Sequence, residues 1–179
     1  MKVPWYWILG VILMIATASL LCALETSLWF LVLGHFPPPM FWLVVLVYIS
    51  VTRPLWESTF LTYLLTLVVA SFTAFPFEQF LIYNLSMMVT LVLIRERVFW
   101  GGPTFFMLMV AVASLLAPIF FWLVSRGFDP NPVNIPRVFD WLISALLTVL
   151  FCLPLYRLYQ WFDKVGSLDA GSESRVGPR

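Results

Sequence analysis

A membrane enzyme still needs acids, bases, nucleophiles or metal ligands set at matched depth on facing helices, and this sequence supplies few of them. Its one histidine, His35, falls in Gly34-His35-Phe36 ahead of three prolines, with no carboxylate beside it. A metal or proton role there competes with the plainer reading, an imidazole at the level of the headgroups. Cys22 and Cys152 each lie inside an apolar run with no histidine or carboxylate cluster near them. Two such sulfurs make neither a zinc site nor a disulfide framework, and they read as packed or lipid-facing thiols. H-x-x-x-H, G-x-S-x-G and G-x-x-x-x-G-K patterns are all missing, and no pair of carboxylates falls within the membrane runs. The expectation is a protein that is not an enzyme, with no catalytic residues, no metal and no cofactor.

Four polar groupings remain as candidates for other work. Arg53 and Glu57 are the first charges after Glu25, four residues apart around Pro54, with Trp56 between them. A local helical pair would contribute only a few tenths of a kcal/mol, and Pro54 disfavours helical geometry at Arg53. Arg53, Trp56 and Glu57 are therefore expected to form a partner-facing turn. Thr59, Thr62, Thr66, Ala70 and Thr73 share one helix face, suited to close packing between helices or to lining a ligand. Glu78, Gln79 and Asn84 open another helix, where a carboxylate also suits the positive end of the helix dipole. Asp140, following Asn134, Pro136 and Arg137, reads as part of a capped helix start in which Asp140 and Arg137 pair locally.

The elements that would position these groups are membrane helices. Of the 179 residues 62% are hydrophobic and 11% charged, against roughly 25% charged in a soluble domain. A net charge of +1, with its cations scattered, offers no field for nucleic acid. Pro37-Pro38-Pro39 lead into the apolar run from Met40, and prolines are tolerated ahead of a helix and in its first turn because no intrahelical donor is needed there. A span takes about 20 apolar residues, and six candidates result: Val3 to Leu24, Met40 to Trp56, Ser58 to Phe75, Phe77 to Ile94, Thr104 to Val124 and Val138 to Trp161. The first begins with Trp5-Tyr6-Trp7, ends at Glu25 and reads as a retained signal anchor. Ser27 to Gly34 is either its extension or a segment in the interface. Pro118 is expected to kink the fifth, residues 125 to 136 to form an outer loop, and Tyr156, Tyr159 and Trp161 to form an interfacial belt.

With the N-terminus inside, the inner loops and ends hold Lys2, Arg53, Arg95, Arg97, Arg157, Lys164, Arg175 and Arg179, while the outer loops hold Arg126 and Arg137. That asymmetry places both termini in the cytoplasm. The organisation expected is an all-α integral membrane domain of six transmembrane helices over residues 1–164, followed by a disordered cytoplasmic tail over residues 165–179.

Pro39-Met40-Phe41-Trp42-Leu43-Val44-Val45-Leu46-Val47-Tyr48 followed by Arg53-Pro54-Leu55-Trp56, with Leu146-Leu147-Thr148-Val149-Leu150-Phe151 through Pro154-Leu155-Tyr156 to Asp163, resembles the second and last helices of the rod shape-determining protein MreD family. The similarity covers residues 1 to about 164 in layout. The third helix departs from the family pattern: Leu61-Thr62-Tyr63-Leu64-Leu65 and Val68-Val69-Ala70-Ser71 stand where the family has a Gly-rich start and an Asp, which marks a divergent member. The resemblance implies a bundle like the substrate-binding subunits of energy-coupling-factor transporters. It also implies a role in cell-wall elongation and peptidoglycan synthesis, with a bitopic MreC-like protein, MreB-like filaments, RodA and its penicillin-binding transpeptidase as partners.

Two functions follow: a scaffold of wall elongation, or a substrate-binding membrane subunit of a vitamin transporter. The second needs convergent polar groups beneath the outer loops and an Ala-x-x-x-Ala-like docking motif in the first helix. The first helix carries Ala16, Ala18 and Ala23 at other spacings, while Ala113 and Ala117 match in the fifth. An assembly factor for another membrane complex is a third reading.

Overall fold

The computed structural model describes residues 5–34, 36–73, 75–97, 102–128 and 137–173, with the backbone alone for 5, 6, 28, 30, 33 and 165–173. Among these residues all regular secondary structure is helical: α1 (Trp5–Ala23), a π-helical turn (Leu24–Leu28), α2 (Trp29–Leu33), α3 (Phe41–Thr52), α4 (Leu55–Ala70), α5 (Phe77–Arg97), α6 (Pro103–Phe128) and α7 (Val138–Glu173). The expectations for His35, and for the loop residues 129–136, lie outside the described residues. Ser27 to Leu33 is an extension of the first helix, continuous with it through the π-turn.

Four segments among the described residues are long and apolar enough to cross a membrane: Trp7–Ser27, Phe77–Arg97, Pro103–Phe128 and Val138–Lys164. The protein is thus a multi-pass membrane protein. The expected second and third spans are shorter helices. The run from Met40 to Trp56 is cut at Arg53, whose extended backbone (φ −103°, ψ 154°) precedes Pro54, and α3 ends at Thr52. Its 12 residues rise about 18 Å, well short of a hydrocarbon core of about 30 Å.

The protein itself supplies the surroundings that α3 needs. Every residue from Leu43 to Ser50 is buried, and α3 touches α1, α4, α5, α6 and α7. A helix enclosed on all sides carries no amphipathic pattern, since no face of it meets anything but side chains. α4, by contrast, buries Leu61, Thr62, Leu65 and Thr66 while Phe60, Tyr63 and Leu67 face outward.

The face of small and hydroxyl residues on α4 packs against a neighbour. Asn84 of α5, fully buried, donates from Nδ2 to Thr66 Oγ1 at 2.9 Å, and Thr66 donates on to the Thr62 carbonyl at 2.7 Å. Thr59 is exposed, so the face narrows to Thr62 and Thr66 in mid-helix. Interhelical hydrogen bonds in membranes contribute about 0.6 kcal/mol on average and about 1.7 at most. We expect Asn84→Ala to cost about 1–2 kcal/mol, including the void it leaves, and Thr66→Val about 0.5–1, read as the thermal midpoint in detergent. A double-mutant cycle that shows no coupling between the two positions would remove this bond from the account.

Prolines inside helices leave carbonyls to be satisfied from elsewhere. Pro118, buried in α6, has no N–H for the Ser114 carbonyl, and the Trp141 indole of α7 donates to that oxygen at 3.1 Å. The proline strap is held in a similar way: Ser144 Oγ donates to the Pro38 carbonyl at 2.7 Å, and the Met40 N–H donates to Thr148 Oγ1 at 2.9 Å. α7 runs on to Glu173, nine residues past Lys164, where the sequence led us to expect a disordered tail. Propagating an existing helix gains one bond per residue ordered, which favours continuation over a fresh start.

Candidate functional site

The two ends of the bundle differ in chemistry. At one end, called here the arginine end, α3 stops, α4 starts, and polar side chains from five helices meet. Arg53 Nη2 donates to Asp163 Oδ1 of α7, and Tyr48 Oη donates to Asp163 Oδ2 at 2.5 Å. Glu57 Oε2 lies 3.9 Å from Arg53 Nη1 and accepts from Trp7 Nε1 of α1 at 3.4 Å. Arg95 of α5 donates from Nη1 to the carbonyls of Ser50, Val51 and Arg53 at 3.0, 3.2 and 2.8 Å. Those are the orphan acceptors at the C-terminal end of α3, where a cation is also favoured by the helix dipole.

The expected partner-facing residues are thereby located. Arg53 and Glu57 are brought together, but their direct contact is long, and the closer partner of Arg53 is Asp163, 110 residues away in sequence. Trp56 stands apart from the network and is 64% exposed, with Leu55 beside it at 55%. Tyr156 and Tyr159 also turn inward. Tyr156 stacks on Phe106 with centroids 4.7 Å apart, and buried Tyr159 meets Tyr48 at 5.2 Å, leaving Trp161 exposed as the belt residue of the three. Positions 152, 155, 159 and 162 form one stripe at helical spacing and all are buried, which explains why Tyr159 is inside and Trp161 is not.

The other end, the proline end, holds a cavity of about 340 Å³. Its wall is aromatic. Trp42 meets Phe80 and Tyr83 edge-on at 5.3 and 5.6 Å, and Phe121 meets Phe75 and Tyr83 at 4.6 and 5.8 Å. Pro37, Pro38 and Met40 close it from the strap, and Trp141 and Ser144 from the start of α7. Among the described residues two carboxylates line it, Glu25 on the π-turn and Asp140 in the first turn of α7. Glu25 Oε2 is buried without a hydrogen-bond partner, as is Thr73 Oγ1 across the cavity rim. The Glu25 carboxylate is also within reach of the Phe41 amide at the start of α3.

Sequence reasoning passed over Glu25, treating it as the marker that ends a span. The signal that could have found it is its place inside a continuous apolar stretch, with Leu28 to Leu33 carrying on beyond it. Of the other polar candidates, Glu78 is exposed in the first turn of α5, suited to the helix dipole, and Asp140 faces the cavity without pairing with Arg137 among the described residues. The two cysteines are packed and free. No group of three or more His, Cys, Asp or Glu side chains able to hold a metal occurs among the described residues.

Comparison with protein-family models, curated proteins and solved structures gives no match for this chain.

Proposed function

We propose that this multi-pass protein is a non-enzymatic inner-membrane scaffold of the cell-wall elongation machinery, acting in rod cell-shape determination. The observation that supports the reading best is the arginine end. Arg53, Glu57, Arg95 and Asp163 are engaged with one another or with backbone carbonyls, so the turn between α3 and α4 is held rigid. That rigid turn presents exposed Leu55 and Trp56, and exposed aromatic anchors on rigid supports are what membrane partners dock on. The resemblance of the Pro39 to Trp56 stretch to the MreD family supplies the partners: an MreC-like bitopic protein, MreB-like filaments, RodA and its penicillin-binding transpeptidase.

Depletion in a rod-shaped host is expected to widen or round the cells while uptake of small molecules is unchanged. Trp56→Ala is expected to leave the thermal midpoint in detergent unaltered, because the side chain is exposed, yet to reduce co-purification of the wall-elongation partners several-fold. Normal shape after full depletion, with loss of uptake of one small molecule, would select the substrate-binding transporter subunit instead.

A further inference from the structure

The cavity at the proline end has a lining that selects for one kind of occupant. Among the described residues its charged lining groups are Glu25 and Asp140, both acidic, and no described Lys, Arg or His side chain lines it. Arg126 lies nearby in sequence but is exposed and stacks over the Trp122 ring at 5.2 Å from its centroid, outside the lining. Glu25 has an oxygen, Oε2, that is buried and unpartnered, on a π-turn within the first apolar span. Acids in membrane helices face a partner or a polar pathway, and π-turns inside helices gather at functional sites. Among the described residues none supplies a cation to this acid.

Much of the remaining wall is built of rings. Trp42, Phe80, Tyr83, Phe121, Trp122 and Trp141 all border the cavity, and aromatic faces attract cations, most strongly quaternary or alkylated ammonium groups that shed their water easily. The volume of about 340 Å³ lies at the small end of ligand pockets, which begin at about 300 Å³. A neutral apolar ligand would leave Glu25 Oε2 without a partner, and an anion would meet two carboxylates.

We propose that this cavity is a binding site for a small organic cation, an ammonium group joined to an apolar body, with Glu25 as its counter-ion and the tryptophans as its cage. The ammonium is carried either by a soluble amine or by the headgroup of an amine-bearing lipid. The site is independent of the wall-elongation role, since it lies at the end of the bundle opposite Trp56.

The test uses the full chain in nanodiscs of phosphatidylglycerol, with benzyltrimethylammonium as probe and tryptophan fluorescence and thermal midpoint as readouts. Choline and its uncharged isostere 3,3-dimethylbutanol serve as the charge control. We expect the cationic probes to quench fluorescence and raise the midpoint, the neutral isostere to do neither, and Glu25→Gln to weaken binding at least tenfold. Asp140→Asn, a second cavity variant, is expected to weaken binding by less. Glu78→Gln, which alters an exposed acid outside the cavity, is expected to change nothing. Repeating the titration in phosphatidylethanolamine nanodiscs separates the sources. Weaker probe binding there assigns the ammonium to the lipid headgroup, and equal binding assigns it to a soluble amine. Equal affinity for choline and its neutral isostere, binding undiminished in both cavity variants, or no binding of either cation would each overturn the proposal.

Discussion

Asp163→Ala is expected to destabilise the solubilised protein by about 2 kcal/mol, and Arg53→Ala by a similar amount, with the double variant costing little more than either. Asp163 accepts from both the Arg53 guanidinium and the Tyr48 hydroxyl, so its loss leaves a cation and a buried phenol without their acceptor. Removing one partner of a fully buried pair costs about 3–5 kcal/mol, whereas an exposed pair is worth about 0–1. With the Arg53 and Asp163 side chains 26% and 35% exposed, the expected cost falls between those limits. Charge exchange distinguishes the two possible partners of Arg53. The double change Arg53→Glu with Glu57→Arg sets a carboxylate against Asp163 and is expected to remain unstable. The double change Arg53→Asp with Asp163→Arg restores an ion pair across α3 and α7 and is expected to recover most of the thermal midpoint. Rescue by the first exchange and failure of the second would show that the short-range pair holds the turn.

This pair also shows where a sequence stops being informative. The local facts about Arg53 were legible: Pro54 disfavours helical geometry at the residue before it, and a pair with Glu57 is weak. Asp163 was not legible as its partner, because nothing in a sequence measures proximity across 110 positions once both residues sit at plausible span ends. The alternation of helices puts the end of α3 and the end of α7 on one side, which narrows the choice to Asp163 and a few neighbours without deciding it. The strap of prolines and a helix start near Met40, one residue before the observed Phe41, followed directly from proline's missing donor. The length of α3 did not follow, because a uniformly apolar run looks the same in lipid and in protein. Glu25 was missed for a related reason. Charges were used as markers of span ends, and a π-turn that carries an acid through a continuous helix breaks that rule. Trp141 is a further case, in which the orphaned Ser114 carbonyl was predictable from Pro118 but its donor on another helix was not.

The enclosure of α3 leads to the second large effect. Leu46→Ala, in the middle of α3 and fully buried, is expected to cost about 2–3 kcal/mol, while Leu146→Ala, 69% exposed on α7, is expected to cost close to nothing. In water-soluble cores Leu→Ala costs about 2–5 kcal/mol, made up of a transfer part and a cavity part. In a membrane the transfer part shrinks, because helices separated in lipid remain in an apolar medium and no hydrophobic driving force brings them together. The cavity part survives, since α1, α4, α5, α6 and α7 all pack against α3 and cannot all close on the gap. The expected value therefore sits low in the range but well above zero. Val47→Phe, which overfills the same layer, is expected to cost about 1–3 kcal/mol through strain. That expectation separates an enclosed helix from a lipid-facing one, where a larger apolar side chain is accommodated freely. Thermal midpoints of the three variants in one detergent provide the measurement. Leu46→Ala and Val47→Phe as mild as Leu146→Ala would mean that α3 faces lipid rather than protein, and the bundle would have to be rearranged around that fact.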